Sequence, residues 1–359
     1  MTKIDLRKYG LTPRFEQEAA SYEGYFTARV IEQHRELYKV VSECGTTLAT
    51  VSGKFAYDAV DNTNFPAVGD WVMIDRADDS YGNAVIHHVL RRKSIFTRKA
   101  PGTTNSVQIL AANIDTVFIC MALNSDFNLR RLERYLSIAW DSPAVPVIVL
   151  TKADLCDDVE QKLAQVSAVN AGADVIVCSS IEENGCRDIL PHIREGKTIA
   201  FMGSSGVGKS TLINRLMGED LLPTGEIRDN GKGRHTTTYR QLLLLPNGGI
   251  VIDTPGMREL HLDSGDLSRS FEDIVELATL CKFNDCSHTK EPGCAVRKTI
   301  INGELSEERL HNYFKLQKEI DYDGLNFRQR EEEKVKRMFG SMAGMKQAVR
   351  HAKNKNKRR

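Results

Sequence analysis

Nine consecutive residues carry the most specific chemistry in this 359-residue chain. Gly203, Ser204, Ser205, Gly206, Val207, Gly208, Lys209, Ser210 and Thr211 fit the pattern G-x-x-x-x-G-K-[ST]. Glycines let a backbone wrap closely, so that successive N–H groups point at phosphate oxygens. A helix opening at the end of the loop adds positive potential. The Lys209 ammonium reaches the β- and γ-phosphates of a nucleotide, and the Ser210 hydroxyl is placed to bind Mg2+. Such a loop needs a strand before it and a helix after it. The apolar run 198–202 and the helix-like run 211–217 supply both. A tight strand-to-helix turn with no ligand is the bland alternative. Downstream, Asp253-Thr254-Pro255-Gly256 follows another apolar run, 249–252. Alone it reads as an ordinary turn. Placed 45 residues after Gly208, it sets the Asp253 carboxylate behind a phosphate-bound Mg2+ and the Gly256 N–H toward a terminal phosphate.

Thr151, Lys152, Ala153 and Asp154 follow the apolar run 145–150 and resemble the guanine-recognition pattern N-K-x-D. A carboxylate here accepts from guanine N1–H and from its exocyclic amine. Adenine offers neither in that arrangement and would leave the carboxylate unpaired. The Lys152 stem can lie along the base. Thr151 replaces the usual Asn and offers fewer hydrogen bonds. A solvent-facing helix start capped by Asp154 is the alternative. Cys178-Ser179-Ser180, at the end of the run 174–178, reads as a further base-contacting loop. The order is informative: Asp154 precedes Gly203 by 49 residues, whereas ordinary small GTPases place the phosphate loop first. A domain whose termini lie close together tolerates that reordering, so this reads as a circularly permuted G domain.

A second chemistry sits near the C-terminus. Cys281, Cys286, His288 and Cys294 fall within 14 residues. Three thiolates and an imidazole close a tetrahedral site with no open position, which reads as one structural Zn2+. Buried free cysteines are the alternative. Cys44, Cys120, Cys156, Cys178 and Cys186 are scattered and read as core or surface residues.

These groups need a scaffold. From 25 to 90 the chain holds five short β-like runs, 25–31, 36–41, 46–53, 68–74 and 84–90, separated by glycines and polar clusters. They suit a small barrel such as an OB-fold, or another small antiparallel sheet. Residues 91–110, with Arg91, Arg92, Lys93, Arg98 and Lys99, read as a basic linker. Apolar strands then alternate with helix-like runs 129–139 and 159–169, the pattern of a mostly parallel sheet covered by helices. After 264 the chain is helical, then strongly basic.

Permuted order, the segment Gly233-Arg234-His235-Thr236-Thr237-Thr238 between the phosphate loop and Asp253, and the downstream Cys/His cluster together resemble the ribosome small subunit-dependent GTPase A (RsgA) family along nearly the whole chain. The resemblance implies a multidomain α/β protein. Its parts would be an N-terminal extension (1–24), an RNA-binding OB-fold (25–97), a circularly permuted P-loop GTPase (103–262), a helical zinc-binding domain (263–326) and a basic tail (327–359). It implies hydrolysis of GTP to GDP with Mg2+, stimulated by the small ribosomal subunit, together with rRNA binding and a role in late subunit maturation. Met257 stands where many GTPases carry the water-orienting Gln. The resemblance points instead to His235. Arg234 can equally stabilise transition-state charge, and Thr237 is the favoured Mg2+ ligand of its threonine run. A second reading keeps the zinc and the RNA but makes the G domain a nucleotide sensor with negligible hydrolysis.

Composition bounds the partners. Lys and Arg number 49, Asp and Glu 48, for a net charge of +1. Charged residues at 27% and hydrophobic ones at 41% exclude wholesale disorder and collagen-like repeats. Eight cysteines are too sparse for a disulfide scaffold. The near-neutral sum hides an asymmetry: residues 327–359 carry +9 and the remaining 326 carry −8. Such a tail neutralises phosphates in a salt-dependent way. Barrel contacts to RNA are expected from Tyr38, Lys39, Lys54 and Arg91-Arg92-Lys93, with Trp71 read as core. No apolar run reaches the length of a membrane helix and no leader is evident, so a cytoplasmic monomer without membrane contact is expected.

Overall fold

The structure is a computed structural model. It describes residues 3–34, 37–59, 61–78, 82–99, 107–182, 185–219, 240–253 and 267–324. His235, Thr237, Gly256 and the tail 327–359 lie outside the described residues. The described residues fall into two compact units, one up to 253 together with 268–272, the other holding Leu267 and 273–324.

In the first unit, five strands form a closed OB-like barrel: β1 (Phe26–Gln33), β2 (Tyr38–Ser42), β3 (Gly45–Val51), β4 (Trp71–Ile74) and β5 (Ala84–Val89). The pairs β1–β2, β2–β3, β4–β5 and β1–β4 are antiparallel and β3–β5 is parallel. Helix α1 (Pro13–Ala19) precedes the barrel, and α2 (Gly53–Asp58) lies between β3 and β4. Ala28, Val30, Val40, Ala49, Val72, Ile74 and Ile86 fill the interior. Closure removes the exposed edges that five short strands would otherwise present.

The segment 1–24 is more than an extension. Asp5 caps a short 3-10 turn at Leu6–Tyr9. In α1, Phe15 is buried 6.0 Å from Trp71. Trp71 is wholly buried, as its apolar neighbours imply. The basic linker is also a folded element. Strands β6 (Ile95–Lys99) and β7 (Val107–Ala112) pair antiparallel, with Phe96 and 109–112 buried. Charge in the run hid its apolar face.

The remaining strands are β8 (Thr116–Ala122), β9 (Val145–Thr151), β10 (Asp174–Val177), β11 (Thr198–Met202), β12 (Arg240–Leu244) and β13 (Ile250–Asp253). Their order is β10-β9-β8-β11-β13-β12, parallel except for β12. Helices α3 (Leu129–Asp141), α4 (Val159–Ser167) and α5 (Lys209–Met217) alternate with these strands along the chain. Phe118, Val147, Val149, Ile199, Phe201, Leu212 and Val251 form a contiguous core. β12 also pairs with β1, Gln241 opposite Glu32, so barrel and parallel strands share one hydrogen-bonded sheet. Arg29 fastens the two further: buried, it donates to Gly69 O, Tyr9 O and the Thr198 hydroxyl at the start of β11.

The second unit is helical, with all but the first residue of α6 (Glu272–Thr279), α7 (Ala295–Ile301) and α8 (Glu307–Gly324). Ile274, Val296, Leu305, Leu310 and Leu316 are buried, and Arg309 grips both oxygens of Asp273 at 2.7 and 2.8 Å.

Candidate functional site

The phosphate loop turns between β11 and α5. Gly203 holds a φ of +148°, and a Cβ there would come within 2.4 Å of the Cys120 carbonyl. Gly208 enters α5 at φ +98°, a conformation that L side chains rarely adopt. Ser205 and Gly206 are exposed, and Val207 anchors the loop in the core. The Lys209 ammonium donates to Gly203 O at 2.7 Å and Ser204 O at 2.6 Å, on the rim of the loop. Ser210 and Thr211 open α5. At the end of β13 the Asp253 carboxyl is pushed up by burial, and Lys209 acts against that push. β11 and β13 are parallel neighbours, so the loop and the carboxylate emerge at the same end of the sheet.

The base motif emerges two strands away, at the end of β9. Thr151 is buried, and its hydroxyl donates to Val207 O at 2.6 Å. The residue that departs from the pattern therefore ties the base motif to the phosphate loop. Lys152 takes φ +59°, which turns the chain sharply before the short 3-10 segment Ala153–Leu155. Asp154 is exposed and accepts from the Ser179 hydroxyl at 2.6 Å. Ala153 N donates to Cys178 O, joining the two loops through the backbone as well. One carboxylate oxygen of Asp154 is thus held by Ser179, which orients the group.

Sequence reasoning missed a clamp on the outer side of the phosphate loop. Arg131, in the first turn of α3, donates to both oxygens of Asp126 at 2.9 Å and to the Ser204 hydroxyl. Burial pushes the nearby Tyr135 phenol up, against a hydrogen bond with Ser204. No motif links positions 126, 131 and 204, so only the fold reveals the clamp.

Cys281, Cys286, His288 and Cys294 converge in the second unit, their ligand atoms all within 4.8 Å of one another. The Cys281 and Cys294 sulfurs lie 3.8 Å apart, and His288 Nδ1 is 3.6 and 3.5 Å from them. A tetrahedron with metal–sulfur bonds of about 2.3 Å has edges of about 3.8 Å between sulfurs, slightly less to nitrogen. The cluster could therefore hold a metal ion. His288 at φ +56° and Gly293 at φ +79° bend the chain to bring the four together. Cys294 also caps α7, accepting from Arg297 N. The Glu291 carboxylate braces the loop by accepting from Ser287 N, Thr289 N and Lys290 N at 3.0–3.1 Å. Hydrogen bonding, first from the Ser287 hydroxyl, holds that carboxyl down at about 2.

Two of the expected RNA contacts have structural jobs instead, and two more are ion-paired. Tyr38 is buried in the barrel and cannot stack on a base. Arg92 grips the buried Asp70 at 2.7–3.1 Å and caps Thr63 O and Phe65 O. Lys93 pairs with Asp115 at 2.6 Å and Lys39 with Glu32 at 2.9 Å. Lys54 and Arg91 remain exposed. A cavity of about 240 Å³ opens on the barrel between Lys39, Thr46, Thr47, Leu48, Gly82 and Asn83. Among the described residues no helix is long and apolar enough to cross a membrane.

Comparison with known proteins agrees with this architecture. A model of the RsgA GTPase family matches residues 89–263. The small ribosomal subunit biogenesis GTPase RsgA 2 of Lactiplantibacillus plantarum is 53% identical, over 96% of this chain and 97% of its own length. RsgA 1 of Listeria innocua is 44% identical over 88% and 90%. Among solved structures, YjeQ from Thermotoga maritima superimposes with a TM-score of 0.62 at 27% identity, covering 84% of this chain and all of its own. YloQ, described as a circularly permuted GTPase, gives 0.59 at 25% identity over 85% and 98%.

Proposed function

This chain belongs to the RsgA GTPase family, and we propose that it hydrolyses GTP on the small ribosomal subunit, as a factor in the late maturation of that particle. The observation that carries the nucleotide half of this reading is the 2.6 Å bond from Thr151 to Val207 O, which fixes a guanine-type motif against a phosphate loop. The ribosomal half rests on the relatives' names and on the +9 tail, whose charge suits rRNA phosphates. Lys54 and Arg91 add exposed cations on the barrel side.

In this reading Asp154 accepts from guanine, with Ser179 orienting it and Lys152 along the base. The backbone from Gly203 to Gly208 wraps the phosphates, and Lys209 swings from its carbonyl partners to the β- and γ-oxygens. Ser210 and Thr237, supported by Asp253, would hold Mg2+, which would neutralise phosphate charge. Gly256 offers its N–H to the terminal phosphate, and His235 orients the attacking water. The Cys/His cluster would hold one structural Zn2+, whose bond lengths suit the spacing of Cys281, His288 and Cys294. The protein works as a cytoplasmic monomer in five parts: extension, barrel, permuted GTPase domain, zinc domain and tail.

The Asp154→Asn variant tests the base assignment. An amide donates where the carboxylate accepted, so GTP affinity should fall about 100-fold, the scale of two hydrogen bonds to a charged group. Xanthosine triphosphate, which carries an acceptor in place of the exocyclic amine, should bind better than to the parent. Unchanged GTP affinity in a nucleotide competition assay would overturn the assignment.

A further inference from the structure

We infer that Cys178 and Cys186 form a reversible disulfide on exposure to a peroxide, and that this bond fixes the guanine-facing loop and slows nucleotide release. The coupling to nucleotide rests on the reading of Asp154 as the guanine ligand; the bond itself does not.

The two thiols flank the loop that carries Ser179. Their sulfurs lie 2.6 Å apart, against about 2.05 Å in a disulfide. The loop is closed by other contacts too. Ser179 N donates to Gly185 O at 3.0 Å, and Arg215 donates to Ser180 O and Glu182 O. Gly185 is pressed so close that a Cβ there would fall 2.1 Å from Ser179 O. A disulfide therefore forms within the existing loop and traps the arrangement in which the Ser179 hydroxyl holds Asp154. Base release requires this wall of the site to loosen, and the bond removes the loosened states.

The chemistry is favourable at Cys186. It is buried, and the two residues that follow it, Arg187 and Asp188, are exposed. Its sulfur sits among polar partners: Cys178, Ser179 O and the Ser180 hydroxyl. A hydrogen bond from the Cys178 thiol, above all, holds the Cys186 thiol down, while the same bond and burial push Cys178 up. A thiolate is the nucleophile toward peroxide. Cys186 sulfur attacks one oxygen of hydrogen peroxide; the O–O bond breaks, hydroxide leaves and Cys186 becomes a sulfenic acid. Cys178 sulfur then attacks Cys186 sulfur. The S–S bond forms, the S–O bond breaks, and the hydroxyl leaves as water with the Cys178 proton. The proton lost by Cys186 goes to the hydroxide. In sum two thiols give up two electrons and two protons, and one peroxide becomes two waters. A dithiol reductant reverses the bond by exchange.

The test uses the full-length protein. Tryptic peptide 163–187 holds both cysteines, so the bond appears as a loss of two hydrogens and protection of both sulfurs from iodoacetamide. Release of a fluorescent GDP analogue is timed on the reduced, peroxide-treated and dithiothreitol-rescued protein. We expect the bond to form and release to slow about fivefold, the scale of ordering one backbone residue, with full reversal by dithiothreitol. In Cys186→Ser the oxidised-to-reduced ratio of release rates should return to one, which also discounts oxidation of the Cys281–Cys294 cluster. Full alkylation of both cysteines after peroxide would overturn the inference, as would a bond that leaves release unchanged. Failure of the reduced protein to bind the GDP probe while the bond forms would instead overturn the guanine-site reading and the coupling, leaving the disulfide itself established.

Discussion

Thr151, Asp154, Ser179 and Lys209 come from segments up to 58 residues apart and meet at the ends of parallel strands; Cys281, Cys286, His288 and Cys294 come from one stretch of 14. The nucleotide loops stand on a contiguous core that runs from Phe118 to Val251, and their polar groups bond one another without a ligand. In the Cys/His cluster only His288 and Cys294 are buried, and the loop between them is braced by the half-buried carboxylate of Glu291. One region owes its shape to the sheet. The other is a loop cluster on a small core, whose four ligand atoms could hold an ion. The lesson is that site residues and fold residues are separable in the first region and identical in the second.

The largest effect should come from breaking the second. Structural Zn2+ binding is worth on the order of 10 kcal/mol of folding free energy in small domains. Chelation, or Cys281→Ser, should therefore abolish the cooperative melting of residues 273–324 while the first unit's transition stays in place. Calorimetry on the full chain reads both, and a single shared transition that moves as one would contradict this difference between the two regions.

Next comes Lys209→Ala. Its charged hydrogen bonds to phosphate should be worth about 1.5–3 kcal/mol each, so GTP affinity and turnover should fall at least about 100-fold with no loss of helical circular dichroism. A smaller effect is expected from Thr151→Val, which keeps the shape and removes the donor to Val207 O. Leaving one buried carbonyl unpaired costs about 1–3 kcal/mol, and we expect roughly a tenfold loss in GTP affinity. An unaffected Thr151→Val protein would mean that the link between base motif and phosphate loop is incidental.

The smallest effect concerns pH. Burial works against the charge of Asp115, but Lys93, the Thr198 N–H and Lys197 outweigh it and hold the carboxyl below the usual carboxylate range. A depressed folded value means that its stabilisation is complete above the unfolded value of about 3.9 and is lost as pH falls through the folded one. Asp115→Asn should therefore lower the first unit's stability at neutral pH and flatten its loss below about pH 4. Parallel acid-melting curves for the two proteins would contradict that assignment.

Legibility in the sequence followed the same divide. The phosphate loop and the Cys/His spacing are local, so residue types at fixed intervals revealed them, and the five barrel strands were marked by apolar runs between turns. Arg131 reaching Ser204 is a contact across 73 positions, and no periodicity encodes it. The hairpin of β6 and β7 was masked by its cations, which made 91–110 look like a linker. Tyr38 and Arg92 looked like RNA contacts because a buried aromatic and a buried ion pair use the same residue types as a binding face. The pairing of β12 with β1 depends on a register that only the assembled sheet defines.

In the proposed function this chain is a GTPase whose turnover depends on the small ribosomal subunit. The most direct measurement is the rate of phosphate release from GTP by the purified protein, alone and with stoichiometric small subunits, for the parent and for His235→Ala. We expect slow hydrolysis alone, strong stimulation by the subunit, and loss of that stimulation in the variant. Equal rates with and without subunits would contradict the claim.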